Sequence, residues 1–127
     1  ISDADVFVLD PVPNCTEMMC DTLTYDFVRT LRVLRPEVPI IMVEGPMYTY
    51  AKYDSYFKEY LPKKNVAFRR NYERLIADGY KDIYYVTSDG ICGDDNEGTV
   101  DGIHYTDIGF RRYADKLIPV IKPLLER

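Results

Sequence analysis

The segment Pro39-Ile40-Ile41-Met42-Val43-Glu44-Gly45-Pro46 decides the expected fold, because its apolar residues are continuous rather than alternating. A strand buried on one face alternates apolar and polar side chains, whereas a strand buried on both faces reads as one apolar run. Such strands are typical of parallel sheets that helices cover on both sides. The Gly45-Pro46 pair then ends the strand in a loop. The segment therefore predicts an α/β protein with a parallel sheet.

Two further apolar runs lie on either side of this segment. Val6-Phe7-Val8-Leu9 ends at Asp10-Pro11, and Ile83-Tyr84-Tyr85-Val86 is followed by a polar loop from Ser88 to Thr99. Both runs have the length of a strand and are bounded by turn-forming residues. We therefore predict three parallel strands in one domain that spans residues 1–127.

Apolar residues at helical spacing lie between and after these strands. The first predicted helix runs from Cys20 to Leu34, and its buried stripe holds Leu23, Phe27, Leu31 and Leu34 together with Val28. Two helices are predicted next, one over 50–60 and one from Pro62 or Lys64 to Asp78. A last helix should run from Ile108 to Leu117, capped by Thr106 or Asp107, before Pro119 breaks or restarts it. The predicted order is β-α-β-α-α-β-loop-α.

Composition excludes several classes of function. The net charge is −5 and the Lys and Arg residues are scattered, which argues against binding to nucleic acid. No apolar run approaches the roughly 20 residues that a membrane-spanning helix needs. Three cysteines and one histidine do not suit a zinc site, and Asp94-Asp95-Asn96-Glu97-Gly98 lacks the ligand spacing of an EF-hand. We expect no metal and no cofactor.

Polar residues follow the carboxyl ends of all three strands, where open α/β sheets bind their ligands. They are Asn14, Glu44, Asp89, Asp94, Asp95, Asp101 and His104. A histidine on a loop is by default a solvated side chain. Here, Asp101 lies three positions earlier, where its carboxylate could accept the Nδ1 proton and orient the ring, and Gly102 relaxes the backbone between them. This pair predicts a general base.

The string Val100-Asp-Gly-Ile-His-Tyr-Thr-Asp-Ile-Gly-Phe110 closely resembles the last block of SGNH (GDSL-like) hydrolases, in which a helix follows Asp-x-x-His. This resemblance implies a three-layer α/β/α, flavodoxin-like fold with strand order 2-1-3-4-5, of which this chain would hold about the last three strands. It also implies a Ser-His-Asp triad in which Asp101 and His104 take part. The family's Gly-Asp-Ser block, which supplies the nucleophile, would lie upstream of Ile1.

The segments Val8-Leu-Asp-Pro-Val-Pro-Asn14 and Ile41-Met-Val-Glu-Gly-Pro46 resemble one branch of the same family. In that branch an asparagine donates its side-chain amide to the oxyanion hole, so the resemblance assigns that role to Asn14. The competing interpretation is a loop asparagine that stabilises its own turn.

The resemblance implies an ester hydrolase that acts on small esters, with acylated carbohydrates as one substrate class. Tyr48, Tyr50 and Tyr53 could stack on a sugar ring, although packing is the commoner role of tyrosines near helices. The alternative function is a catalytically inert, truncated domain that self-associates. Its Val6–Leu9 strand would present an open edge, and we therefore expect a homo-oligomer formed through that edge. The sequence does not determine the cellular compartment.

Overall fold

A computed structural model of the chain describes residues 3–126. Within them, three strands form one sheet: β1 (Phe7–Leu9), β2 (Ile40–Val43) and β3 (Ile83–Val86). The strands are parallel and lie in the order β1-β2-β3, with Ile40 of β2 opposite both Phe7 and Ile83. The prediction of a parallel α/β fold with these three strands is confirmed.

The described part of the chain also contains four helices on the two faces of the sheet: α1 (Glu17–Thr22), α2 (Thr24–Leu34), α3 (Ser55–Ala77) and α4 (Asp107–Leu125). Short 3-10 turns precede α1 and α3, at Val12–Asn14 and Thr49–Lys52. No helix in residues 3–126 is long and apolar enough to cross a membrane.

The central strand β2 divides the core into two layers, as its continuous apolar run predicts. Ile40 and Met42 pack with Phe68 and other residues of the α1–α3 side. Ile41 and Val43 pack on the opposite face of the sheet, against the α4 side that includes Leu117 and Leu124. Since all four β2 side chains are fully buried, the sheet is covered on both faces in a three-layer arrangement.

The predicted helix over Cys20–Leu34 is wrong in its bounds, because the structure contains two helices with a break at Leu23. Thr16 caps the first of them by accepting a hydrogen bond from the Met19 N–H. Next to the break, the Thr24 hydroxyl donates to the Cys20 carbonyl at 2.7 Å. Hydroxyl bonds of this kind bend helices and compete with the regular backbone ladder.

The predicted buried stripe of α2 is wrong in part. Leu23, Phe27 and Leu34 are more than half exposed, whereas Val28 is buried and Leu31 packs against the core, as predicted. Arg32, on the same helix, donates from its guanidinium to carbonyls before β2 and β3. These include the carbonyls of Val38, at 2.9 Å, and of Asp82, at 3.2 Å.

The two proline breaks that we predicted do not occur. Helix α3 continues through Pro62, and α4 continues through Pro119 and Pro123. In α3, buried residues recur at helical spacing on both sides of the proline: Leu61, Lys64, Asn65, Phe68, Asn71 and Leu75. In α4, Leu117 and Leu124, on either side of the two prolines, pack in one core cluster. In both helices, packing of this kind would offset the roughly 3 kcal/mol that an interior proline costs.

Candidate active site

The turn between Asp101 and His104 is held by the aspartate itself. Asp101 Oδ1 accepts backbone N–H bonds from Ile103 at 3.0 Å and from His104 at 2.8 Å. Gly102, between them, has φ +91°, a conformation that side-chain-bearing residues rarely adopt. Its carbonyl accepts from the Tyr50 N–H at 3.0 Å, which ties the turn to the segment before α3. The local sequence thus fixes the turn before any substrate is present.

A short antiparallel bridge between Thr99 and Tyr105 closes this loop at its base. The Val100 N–H donates to the His104 carbonyl at 2.7 Å, and the Thr106 N–H donates to the Gly98 carbonyl at 3.1 Å. The Thr106 side chain caps α4 by accepting from Gly109 N–H at 3.2 Å, as the sequence predicted. The histidine is therefore anchored directly to the start of a 19-residue helix.

The side chains of the pair are also in contact. Asp101 Oδ2 lies 2.7 Å from His104 Nδ1. The hydrogen bonds from the backbone N–H of His104, from its ring and from the Ile103 N–H hold the pKa of Asp101 well below its usual value. An ionised carboxylate at this position favours the tautomer with the proton on Nδ1, so that Nε2 is available as a base. Within residues 3–126 His104 Nε2 has no hydrogen-bond partner, and the side chain is 78% exposed.

Asn14 and His104 line the same open cleft, of about 450 Å³, although 90 positions separate them in sequence. Asn14 is the last residue of the 3-10 turn after β1, and its N–H donates to the Pro11 carbonyl at 3.0 Å. In the described part of the chain its side-chain amide bonds to no protein group, so the turn does not depend on it. The structure therefore brings together all three site residues that the sequence predicted.

The cleft also contains two residues to which the sequence had assigned no role in a site. They are Asp10, directly after β1, and Tyr105. Burial raises the pKa of Asp10, while the Tyr113 hydroxyl, which donates to Asp10 Oδ2 at 2.9 Å, lowers it by a smaller amount. The position of Asp10 directly after a strand could have indicated a site residue in the sequence. Only the fold shows that Tyr113 of α4 is its hydrogen-bond partner.

A sequence profile of the GDSL-like Lipase/Acylhydrolase family matches residues 1–122. The chain belongs to this family. It is therefore related to lipases and acylhydrolases at the level of the family, as the resemblance in its last block implied. No curated protein sequence matches the chain.

Several solved structures share the fold of this chain. A protein of the GDSL-like lipase type from Bacteroides ovatus ATCC 8483 is 35% identical, with a TM-score of 0.92 over 98% of this chain and 37% of its own length. The salicylyl-acyltransferase SsfX3 from a tetracycline biosynthetic pathway is 16% identical, with a TM-score of 0.72 over 95% and 38%. A GDSL-like lipase from Bacteroides thetaiotaomicron VPI-5482 is 15% identical, with a TM-score of 0.54 over 81% and 53%. The chain spans less than two fifths of the length of the first two.

Glu44 directly follows β2 but does not line the His104 cleft of this GDSL-like chain. Its buried carboxylate is paired with Arg69 at 2.5 Å and accepts from the Tyr85 hydroxyl at 3.0 Å. Its second oxygen accepts the Ser88 N–H at 3.0 Å. A carboxylate that is hydrogen-bonded on both oxygens joins the loops after β2 and β3, which is a structural role.

The acidic loop after β3 is likewise occupied by protein contacts. Asp95 forms two hydrogen bonds with the Arg112 guanidinium, at 3.0 and 2.6 Å, and Lys52 Nζ donates to Asn96 Oδ1 at 2.9 Å. No group of acidic, cysteine or histidine side chains in residues 3–126 is arranged to hold a metal ion.

The three tyrosines that we singled out for sugar stacking lie in different surroundings. Tyr48 is half-buried and lines the His104 cleft. Tyr50 packs edge-on against Phe57, with ring centroids 5.3 Å apart, and Tyr53 is 76% exposed. Of the three, Tyr48 is therefore the one whose side chain lines the His104 cleft, and sugar stacking stays a prediction.

Proposed function

We propose that this chain provides the acid–base half of an esterase, in which His104 and Asp101 activate a serine that lies outside residues 1–127. His104 Nε2 would take the serine proton as the hydroxyl attacks the ester carbonyl, and would then return the proton to the departing alcohol. Asp101 would hold the ring in place and stabilise its protonated form. Hydrolysis of the acyl-enzyme by water would complete the cycle.

The observation that carries this proposal is the 2.7 Å contact between Asp101 Oδ2 and His104 Nδ1, in a turn whose backbone the same carboxylate fixes. A base that must face a nucleophile needs its second nitrogen free, and Nε2 of this exposed ring has no partner in residues 3–126. Asn14, across the same cleft, would donate its amide to the oxyanion of the tetrahedral intermediate.

The serines within the chain do not suit the role of the nucleophile. Ser88 is buried, and its hydroxyl lies 3.4 Å from Glu44 Oε2, in a cleft that His104 does not line. Ser55 is the first residue of α3 and lines neither cleft. Ser2 lies outside the described residues. The family's Gly-Asp-Ser block would supply the serine, which agrees with the small share of the related structures that this chain spans.

For the substrate we propose a small ester, with acylated carbohydrates as the preferred class. The cleft has the size of a small-molecule site and combines aromatic side chains with a few polar groups. Tyr48 offers an aromatic surface, and Asp10 offers a carboxylate that could accept a hydroxyl of the alcohol. This preference predicts a higher kcat/KM for acetylated sugars than for p-nitrophenyl acetate, which carries no sugar.

The test uses the full-length gene product that contains this segment. A fluorophosphonate probe, which labels activated serines, should modify one serine outside residues 1–127 in the wild type. His104→Ala should abolish labelling and lower kcat for p-nitrophenyl acetate by about 10³-fold or more. Labelling of Ser55 or Ser88, or unchanged kcat in His104→Ala, would refute the proposal.

Asp115→Asn is the matched control. It removes a carboxylate that is about as exposed as that of Asp101 but is paired with Arg111 on α4, away from His104. Its kcat should equal that of the wild type. Asn14→Ala should reduce kcat by about 10²-fold or more with a smaller effect on KM, as expected for a group that binds the oxyanion.

The second candidate function is self-association, which the open edge of the sheet favours. In residues 3–126, β1 pairs with β2 only, and Val8 on this strand is 39% exposed. A strand with a free edge invites pairing with another chain. The 127-residue chain should therefore form a homo-oligomer through Val6–Leu9.

Light scattering on the isolated chain tests this second proposal. A dimer or larger species that becomes monomeric in Val8→Lys would support it, since a lysine on an edge strand opposes pairing. A monomer at all concentrations would exclude association through this edge and would leave the esterase proposal untouched.

A further inference from the structure

A buried lysine lies beside the candidate active site without a charged partner. Lys64, on α3, is 5% exposed. Its ammonium carries three donors, and the one acceptor that it reaches in the described structure is the Pro13 carbonyl, at 3.3 Å. The Tyr60 ring lies below it with its centroid 6.0 Å away, which is the outer limit of a cation–π contact.

No carboxylate in residues 3–126 lies within ion-pair distance of Lys64. Burial lowers the pKa of the lysine, and the neighbouring Cys20 and Cys15 side chains oppose this effect only in part. Charged side chains are rarely buried unless they are paired, because removing an ion from water is unfavourable. The Lys64 ammonium therefore has hydrogen-bond donors with which it could bind an anion.

Lys64 lines a pocket of about 160 Å³ whose other walls are mainly apolar. They include Tyr50, Phe57, Leu61 and Ile103. An engineered protein cavity of about 150 Å³ binds benzene, so this pocket has room for one aromatic ring. It adjoins the His104 cleft, because Pro13, Tyr48 and Ile103 line both.

We propose that this pocket is a binding site for a small apolar carboxylate, about the size of benzoate. The ring would lie among the aromatic walls, and the carboxylate would accept charge-assisted hydrogen bonds from Lys64. Because the pocket opens next to His104, such a group would be part of the substrate or product, an assignment that rests on the proposed esterase function. The binding itself does not depend on any catalytic group.

The test measures binding of benzoate to the 127-residue chain by titration calorimetry near pH 7, with benzamide as the neutral ligand of the same shape. Lys64→Met keeps the apolar stem and removes the charge. Lys63→Met makes the same change at an exposed neighbouring position and is the matched control. Benzoate should bind to wild type and Lys63→Met alike, and Lys64→Met should weaken it by about tenfold or more.

Replacement of a buried, poorly paired charge by an apolar side chain is often neutral or stabilising, so Lys64→Met should fold. The comparison of benzoate with benzamide on the wild type tests the need for charge without any mutation, and benzoate should bind about tenfold more tightly or better. Equal binding of the two ligands, equal binding to Lys64→Met, or no saturable benzoate binding would overturn the proposal. Benzoate binding in a full-length protein without esterase activity would sustain this site and reject the proposed function.

Discussion

The packing of Gly45 against Val12 gives a prediction whose size follows from the geometry. A Cβ atom built on Gly45 would lie 2.7 Å from Val12 Cγ1 and 3.1 Å from Val12 Cβ. The backbone of Gly45 cannot move away freely, because the Asn65 side chain binds both its N–H, at 2.9 Å, and its carbonyl, at 2.8 Å. Gly45→Ala should therefore overpack the contact between the loops after β1 and β2.

We expect Gly45→Ala to lower the free energy of unfolding by about 1–3 kcal/mol, the usual cost of overpacking. For a domain of this size that corresponds to a fall in Tm of about 4 °C per kcal/mol. Val12→Ala should cost about 1–3 kcal/mol by itself, because it empties a site that is 1% exposed. In the double variant the new methyl group would occupy the space left by Val12 Cγ1, so the two costs should not add.

Chemical denaturation of the wild type, the two single variants and the double variant gives the coupling energy. The double variant should be about 1–3 kcal/mol more stable than the sum of the two single costs predicts. Gly90→Ala serves as the control, because its Cβ would meet nothing within 4 Å but its φ of +77° strains an alanine. Its cost of about 1 kcal/mol should be the same with and without Val12→Ala. Additivity of Gly45→Ala and Val12→Ala within about 0.5 kcal/mol would refute the argument.

Three further predictions concern the site and the charged loops. Asp101→Asn in the full-length gene product should lower kcat by about 10³–10⁴-fold with little change in KM, because an amide no longer enforces the tautomer of the histidine; equal kcat values would contradict the assigned role. Burial raises the pKa of Cys20 to about 11, so iodoacetamide at pH 8 should alkylate the partly exposed Cys15 well before Cys20. Mass spectrometry of digests would show the order, and alkylation of Cys20 before Cys15 would contradict the packing described for α1. The Arg112 ion pair lowers the pKa of Asp95 from 3.8 to about 2, so its stabilisation is complete above about pH 4 and disappears as the pH falls towards 2. The Tm of Asp95→Asn should therefore depend less on pH over that interval, and parallel wild-type and variant curves would exclude the pair as a stabilising contact.

The sequence by itself determined the parts of this protein that depend on local patterns. Apolar runs bounded by turn residues predicted all three strands, because a strand buried on both faces leaves a continuous signal. The pairing of Asp101 with His104 was also predictable, since three positions and a glycine suffice to let the carboxylate reach the ring. The cap of α4 at Thr106 follows from the same kind of short-range hydrogen bond.

Only the tertiary structure decided which distant residues meet and which helical faces are buried. Pro62 does not end α3, because buried side chains before and after it pack on one surface. Asn14 and His104 line one cleft because the carboxyl ends of parallel strands share one edge of the sheet. The sequence gives no sign that Lys64 is buried while Lys63 is exposed, since that difference depends on how α3 is rotated against the turn at Pro13. Local patterns record hydrogen bonds between near neighbours, whereas burial and long-range contacts are set by packing free energy summed over the whole fold.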